Sequence, residues 1–281
     1  MRILGISCYF HDAAAAILED GVLVAAAEEE RFTRKKHDYN FPINSIRFCL
    51  DYAKIDNRDI DYVIFFEKPF VKFERLLQTA IHGFPGTFSL FNQSVRTWMF
   101  DKIWIKSLIV KELGINPANL LFSEHHLSHA ASSYFCSPFE ESAILTFDGV
   151  GEWATTAISY GKGTNLNQIK EIHFPHSLGL LYSAFTAFLG FEVNEGEYKV
   201  MGMAPYGEPK FVDKVNQVIS QSRDGSFLLD MKYFSFHKST KKSFTRKFVE
   251  MFGEPRNPDI PFYTDTSEYR SYYGEKPTNF K

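Results

Sequence analysis

Met1-Arg2-Ile3-Leu4-Gly5-Ile6-Ser7-Cys8-Tyr9-Phe10-His11-Asp12-Ala13-Ala14-Ala15-Ala16-Ile17-Leu18-Glu19-Asp20-Gly21-Val22-Leu23-Val24-Ala25-Ala26-Ala27 opens the chain with three short apolar runs separated by two turns. Residues 2–8 and 13–18 read as strands, and Asp20-Gly21 joins the second to a third at 22–27. Asp-Gly suits a type I′ turn, which needs two residues that tolerate positive φ. Behind them, 42–53 places Ile43, Ile46, Phe48 and Leu50 at helical spacing after Pro42, a residue favoured in a first helical turn. A compact apolar strand follows at 62–66. Three strands, a helix and a strand predict an α/β domain.

Farther along, 68–113 becomes helical and rich in aromatic, Lys and Arg residues, broken at Gly83-Phe84-Pro85-Gly86, and reads as an insertion on the core fold. A short strand at 120–123 leads into a helix that begins at the histidines and runs to about Phe135. Strands are expected at 142–147, 153–160 and 168–174, and helices at 179–189 and 211–219, after which periodicity fades. The tail from Gly253 to Lys281 has four prolines and little aliphatic content, so it is expected to be mobile. The expected division is a first lobe at 1–160 and the start of a second at 161–281.

The composition supports a large core: 281 residues, 44% hydrophobic, with formal net charge -3. Such balanced charge does not favour nucleic acid as a partner. Cys8, Cys49 and Cys136 are scattered without metal-ligand spacing and read as buried thiols in a reducing cytoplasm. The N-terminus has neither the pattern of a signal peptide nor that of a membrane span, so a cytoplasmic protein with no membrane partner is expected. Most of the 29 Phe are assigned to packing, while those within 68–113 also suit stacking on a sugar.

Five phrases carry chemistry. In Glu124-His125-His126-Leu127-Ser128-His129, His125 and His129 lie four apart, on one helix face, and can share a metal ion. Packed histidines are the commoner origin of such a pair, and no Glu follows the first His as a zinc protease requires. Asp148-Gly149-Val150-Gly151-Glu152 ends an apolar strand; its glycines let backbone N–H groups approach a phosphate, though Asp-Gly also makes plain turns. His11-Asp12 sits in the first turn, where an imidazole suits general acid–base work or simply satisfies local bonds. The run Glu28 to His37 switches sign abruptly; it is either a solvated turn or an anion site using Arg34, Lys35 or Lys36. Ser177-Leu178-Gly179 to Tyr182 and Glu195 to Gly207 are glycine-bearing segments, suited to a nucleotide or merely to a helix start and a loop.

Taken in order, these phrases resemble the NodU/CmcH family of O-carbamoyltransferases over residues 1 to about 210. The resemblance implies an actin-like, ribonuclease H-like (ASKHA) TsaD-type domain, incomplete at its C-terminus, followed in the family by a YrdC-like domain. That second domain would make carbamoyl-adenylate from carbamoyl phosphate and ATP, and the TsaD-like domain would pass the carbamoyl group to a hydroxyl of a sugar or natural product. His125 and His129 match metal ligands, with Fe(2+) expected and Zn or another divalent ion as the alternative. Asp12, Lys36, Asp148, Gly149, Val150, Gly151, Glu152 and Gly179 match the carbamoyl-adenylate site, and His11 matches the general base. Asp148 would bind the nucleotide or complete the metal shell. The family's third ligand, an aspartate, has no recognised equivalent before Lys281, and the YrdC-like domain is expected in cis or as a separate chain, without which this chain would be inactive. A catalytically dead nucleotide-fold module and a TsaD-like tRNA-modifying protein are the alternatives.

Overall fold

Residues 1–88, 91, 92, 95, 103–239 and 241–259 are described by a computed structural model. The opening hairpins form where the alternation places them: β1 (Arg2–Ser7), β2 (Ala14–Glu19) and β3 (Val22–Glu28) run antiparallel, with Ile3 opposite Leu18 and Ile6 opposite Ala15. Asp20 and Gly21 both have positive φ, 50° and 83°, as a type I′ turn demands. After the single-turn helix α1 (Glu30–Thr33), α2 (Ile43–Ala53) packs on β2 and β3 through Ile46, Cys49 and Leu50. No side chain of α2 itself caps its N-terminus. Glu29 does so: its buried carboxylate accepts the N–H groups of Asn44 (3.2 Å) and Ser45 (2.9 Å) and the Ser45 hydroxyl (2.8 Å). The acidic end of the charge run is therefore partly structural.

β4 (Tyr62–Phe65) joins β1 in parallel, and β5 (Leu120–Phe122) joins β4 in parallel, giving the order β3-β2-β1-β4-β5. This is a mixed α/β arrangement, as the opening strands and helix predict. Leu4, Ile6, Ile17, Ile46, Val63, Phe65 and Ile109 fill its core, each burial worth about 1.5–3 kcal/mol. The expected insertion contributes α3 (Pro69–Gly83) and α4 (Ile105–Leu113); residues 89, 90, 93, 94 and 96–102 of it lie outside the described set.

The chain then forms α5 (His125–Tyr134) and a second, antiparallel sheet of β6 (Glu141–Phe147), β7 (Ala154–Lys162) and β8 (Asn165–His173). The expected lobe boundary at 160 passes inside β7, whereas the two sheets part between β5 and β6. Next come α6 (Leu178–Phe188), α7 (Glu197–Met203), α8 (Val212–Val218), the hairpin of β9 (Ile219–Gln221) and β10 (Phe227–Leu229), and α9 (Arg246–Phe252). A second core surrounds Phe248, whose ring meets Phe188 at 5.3 Å and Phe185 at 5.0 Å.

Two expectations need correction. Cys136 is exposed, because it follows the end of α5, while Cys8 and Cys49 are buried as predicted. The start of the expected mobile tail is anchored: the Arg256 N–H donates to Phe188 O (3.0 Å) and its Nε to Leu189 O (2.7 Å), while residues 260–281 of that tail lie outside the described set. Among the described residues, no helix is long and apolar enough to cross a membrane.

Candidate functional site

β6 delivers Asp148 just past its last residue, and the sheet it belongs to packs against α5. The Asp148 carboxylate therefore arrives over the first turn of the histidine helix. Asp148 Oδ2 lies 2.5 Å from His125 Nε2 and 3.8 Å from His129 Nε2, and the two imidazole nitrogens are 3.1 Å apart. His125 is buried and His129 exposed, so the cluster is closed on one side and open on the other. Burial alone would raise the Asp148 pKa, but hydrogen bonds from His125 and His129 and the Gly149 N–H (2.6 Å to Oδ1) hold it well below the usual carboxylate range.

This donor set fits a divalent transition metal. A proton on His125 Nε2 serves one of its two neighbours well, whereas a cation is bonded by all three lone pairs at once. Donors about 2.05 Å from a tetrahedral ion stand about 3.3 Å from one another, a value the three observed distances bracket. Two imidazoles and one carboxylate also leave coordination positions open, as iron(II) and catalytic zinc sites do. Asp148 thus stands where a third donor would, one of the two roles the resemblance left open for it.

Around the cluster lies a layer that holds it. His126 points away, as its helical position requires: Nε2–H donates to Ala154 O (3.0 Å) and Nδ1 accepts from the Thr146 hydroxyl (2.7 Å). Burial pushes its pKa down, so the ring is neutral and structural. Both Glu152 oxygens accept the His125 N–H, at 3.2 and 3.1 Å, and one also accepts the Lys68 N–H at 2.8 Å. A carboxylate there satisfies the free N–H of a helix start and favours its positive end. His125 Nδ1 has no hydrogen-bond partner among the described residues, and Phe66 (5.6 Å) and Phe10 (6.3 Å) hold the ring edge-on. The Ser177 hydroxyl caps α6 by accepting the Leu180 N–H (3.0 Å) and donates to Gly149 O (2.8 Å), which brings Gly179 against the Asp148-Gly149 backbone. Gly151 lies flush with the His125 ring, and Val150 is half-buried between these glycines.

A buried charge group that sequence reasoning missed stands behind this layer. Lys72 Nζ pairs with Glu67 at 2.7 Å, and the Arg75 guanidinium sits over the Phe174 ring at 5.1 Å. Burial pushes the Arg75 pKa down to about 10, opposed by Glu67 and Glu152. The spacing Lys68, Lys72, Arg75 along α3 is the signal that was available: one basic stripe at one-turn intervals.

His11, Asp12 and Lys36 lie on the neighbouring first hairpin and its return. Phe10 stands between the two groups, 4.4 Å from the His11 ring and 6.3 Å from that of His125. Asp12 binds His11 and His37, each at 2.8 Å, and Glu195 faces His37 Nε2 (3.4 Å) and Lys36 Nζ (3.6 Å). His37 and Glu195 join this group; the sequence reading includes both, in the charge run and in the second glycine-bearing segment, without giving either a role.

The family described as Carbamoyltransferase N-terminus matches residues 2–260. The chain belongs to that family. Every one of the motif residues above falls inside the carbamoyltransferase match. The uncharacterized protein sll1178 of Synechocystis sp. is 51% identical over 269 residues, which cover 92% of this chain and 44% of that protein. Nodulation protein NolNO of Sinorhizobium fredii is 37% identical over 206 residues, covering 72% of this chain and 28% of that protein. The chain spans less than half the length of these two relatives. Among solved structures, component A of (R)-2-hydroxyglutaryl-CoA dehydratase from Acidaminococcus fermentans is 14% identical with TM-score 0.34, covering 75% of this chain and 70% of that one. YeaZ from Pseudomonas aeruginosa is 15% identical with TM-score 0.33, covering 60% and 64%. Neither likeness bears on the chemistry.

Proposed function

We propose that this chain is the acceptor-side part of an O-carbamoyltransferase that transfers a carbamoyl group from carbamoyl-adenylate to a hydroxyl of a sugar or another hydroxylated small molecule. The observation that carries the reading is the convergence of His125, His129 and Asp148 beside the His11 hairpin. An alcohol is a weak nucleophile at neutral pH, so His11, exposed on its hairpin, takes the proton as the oxygen attacks the carbamoyl carbon. The bond from that carbon to the adenylate oxygen breaks and AMP leaves. A divalent ion, Fe(2+) first and Zn as the alternative, would be held by His125 Nε2, His129 Nε2 and Asp148 Oδ2 and would stabilise negative charge on the carbonyl. Gly149, Gly151 and Gly179 keep the backbone beside Asp148 narrow enough for a nucleotide to approach, and Lys36 offers it a cation. Carbamoyl-adenylate would come from carbamoyl phosphate and ATP on a YrdC-like domain, in a longer chain or a separate one.

Metal analysis and transfer assays in the full-length protein, or with a YrdC-like partner, test this. His11→Ala is expected to lower transfer by about 10²- to 10⁴-fold with bound metal unchanged, the worth of a general base. His125→Ala and His129→Ala are expected to lose metal. Metal loss in His11→Ala overturns the assignment of the base, and a wild-type chain that binds neither metal nor adenylate is instead a catalytically inactive binding module.

A further inference from the structure

We infer that Asp12 is the positioning residue of His11, fixing the imidazole with its proton on Nδ1 and its lone pair on Nε2, and that His37 holds Asp12 in that role. The inference rests on His11 serving as the base. The backbone around the turn between β1 and β2 is fixed first. Tyr9 N–H donates to Tyr39 O and Ala13 N–H to Asp38 O, both at 2.7 Å, so the 37–39 segment is laced to both ends of the turn. Asp12 itself has φ 46°, a left-handed conformation that Asp and Asn tolerate better than most residues.

Side chains complete the arrangement. His11 Nδ1 lies 2.8 Å from Asp12 Oδ2, and His37 Nδ1 lies 2.8 Å from Asp12 Oδ1, so each carboxylate oxygen takes one imidazole. An ionised carboxylate only accepts hydrogen bonds, so both rings must present Nδ1–H to it. A neutral His11 therefore carries its lone pair on Nε2, the nitrogen available to an alcohol at this exposed ring. His37 in turn stands 3.4 Å from Glu195, which also faces Lys36, and its own N–H donates to Glu30 at 3.1 Å. The carboxylate that orients His11 is thus restrained from the opposite side, from the loop that precedes α7.

The test reads the tautomer directly, by long-range ¹H–¹⁵N correlation on the ¹⁵N-histidine-labelled 281-residue chain, at a pH above imidazole titration. Wild type is expected to show His11 in the Nδ1–H form. An Asp12→Asn amide offers one acceptor and one donor, so either His11 or His37 must change tautomer, and transfer in the full-length protein is expected to fall by on the order of 10²-fold or more. His37→Phe is expected to mix the His11 tautomers, and His37→Gln, which keeps an N–H donor for Asp12, to restore the wild-type form. A wild-type His11 in the Nε2–H form, or His11 unchanged in both Asp12→Asn and His37→Phe, overturns the inference. If transfer survives His11→Ala, the base assignment fails while the tautomer result stands; if it is lost but the tautomer is Nε2–H, only the positioning role fails.

Discussion

Gly179 has no side chain because Asp148 leaves no room for one. A Cβ there would lie 2.6 Å from the Asp148 carbonyl oxygen and 2.8 Å from the Gly149 nitrogen. Both are backbone atoms and cannot rotate away, so Gly179→Ala must move either the start of α6 or the loop that presents Asp148. Strain of that kind costs about 1–3 kcal/mol. Gly179→Ala is therefore expected to lower the urea midpoint and to weaken metal binding, because Asp148 shifts relative to two histidines fixed on α5. Gly202 on α7 is the control: nothing lies within 4 Å of its added Cβ, and Gly202→Ala is expected to be neutral or stabilising by about 0.5–1 kcal/mol. Equal behaviour of the two variants would show that the contact at 179 is not tight.

At the scale of elements, α5 is placed by what it binds at its start. Glu152 accepts the N–H of both His125 and Lys68, so one carboxylate fixes the histidine helix against the start of α3. Glu152→Gln replaces one acceptor with an NH2 group facing those N–H donors. It is expected to lower metal affinity by about 10–100-fold, as loss of an outer support does, and stability by about 1–2 kcal/mol, as loss of a cap does. Titration with Co(II), followed by its absorption bands, and urea unfolding measure the two effects; unchanged affinity would confine Glu152 to a capping role. The histidine helix and the strand before Asp148 were legible in the sequence because each shows its own period, 3.6 or 2. That Asp148 meets His125 and His129 was only one of two roles the resemblance left open, since the choice depends on which face of the second sheet packs on α5. Likewise β9 and β10 are three residues each, too short for alternation to register, and although the basic stripe of α3 shows in the spacing, the burial of Lys72 and Arg75 does not.

Across the whole molecule, burial has been imposed on several histidines at once. It pushes down the pKa of His126, His176 and His237, with Lys238 adding to the effect at His237. Two of these rings hold elements together: His126 joins α5 to β6 and β7, and His176 accepts the Leu229 N–H of β10 at 3.1 Å. For each, the unfolded chain takes a proton at higher pH than the folded one. The stability they contribute is then complete above the ordinary imidazole value of 6.5 and is lost as pH falls through the lower folded values. Asp12 and Asp148 are depressed carboxylates, so theirs is complete above 3.8 and is lost at still lower pH. Unfolding free energy in urea is expected to be highest near neutral pH and to decline in two stages on acidification, the first beginning near 6.5. Added divalent metal should raise stability most at neutral pH, because protons compete with the ion for His125 and His129. A metal-free profile that stays flat from neutrality down to the carboxylate range would mean that the three rings protonate without cost, and the packing assigned to His126 and His176 would then be wrong.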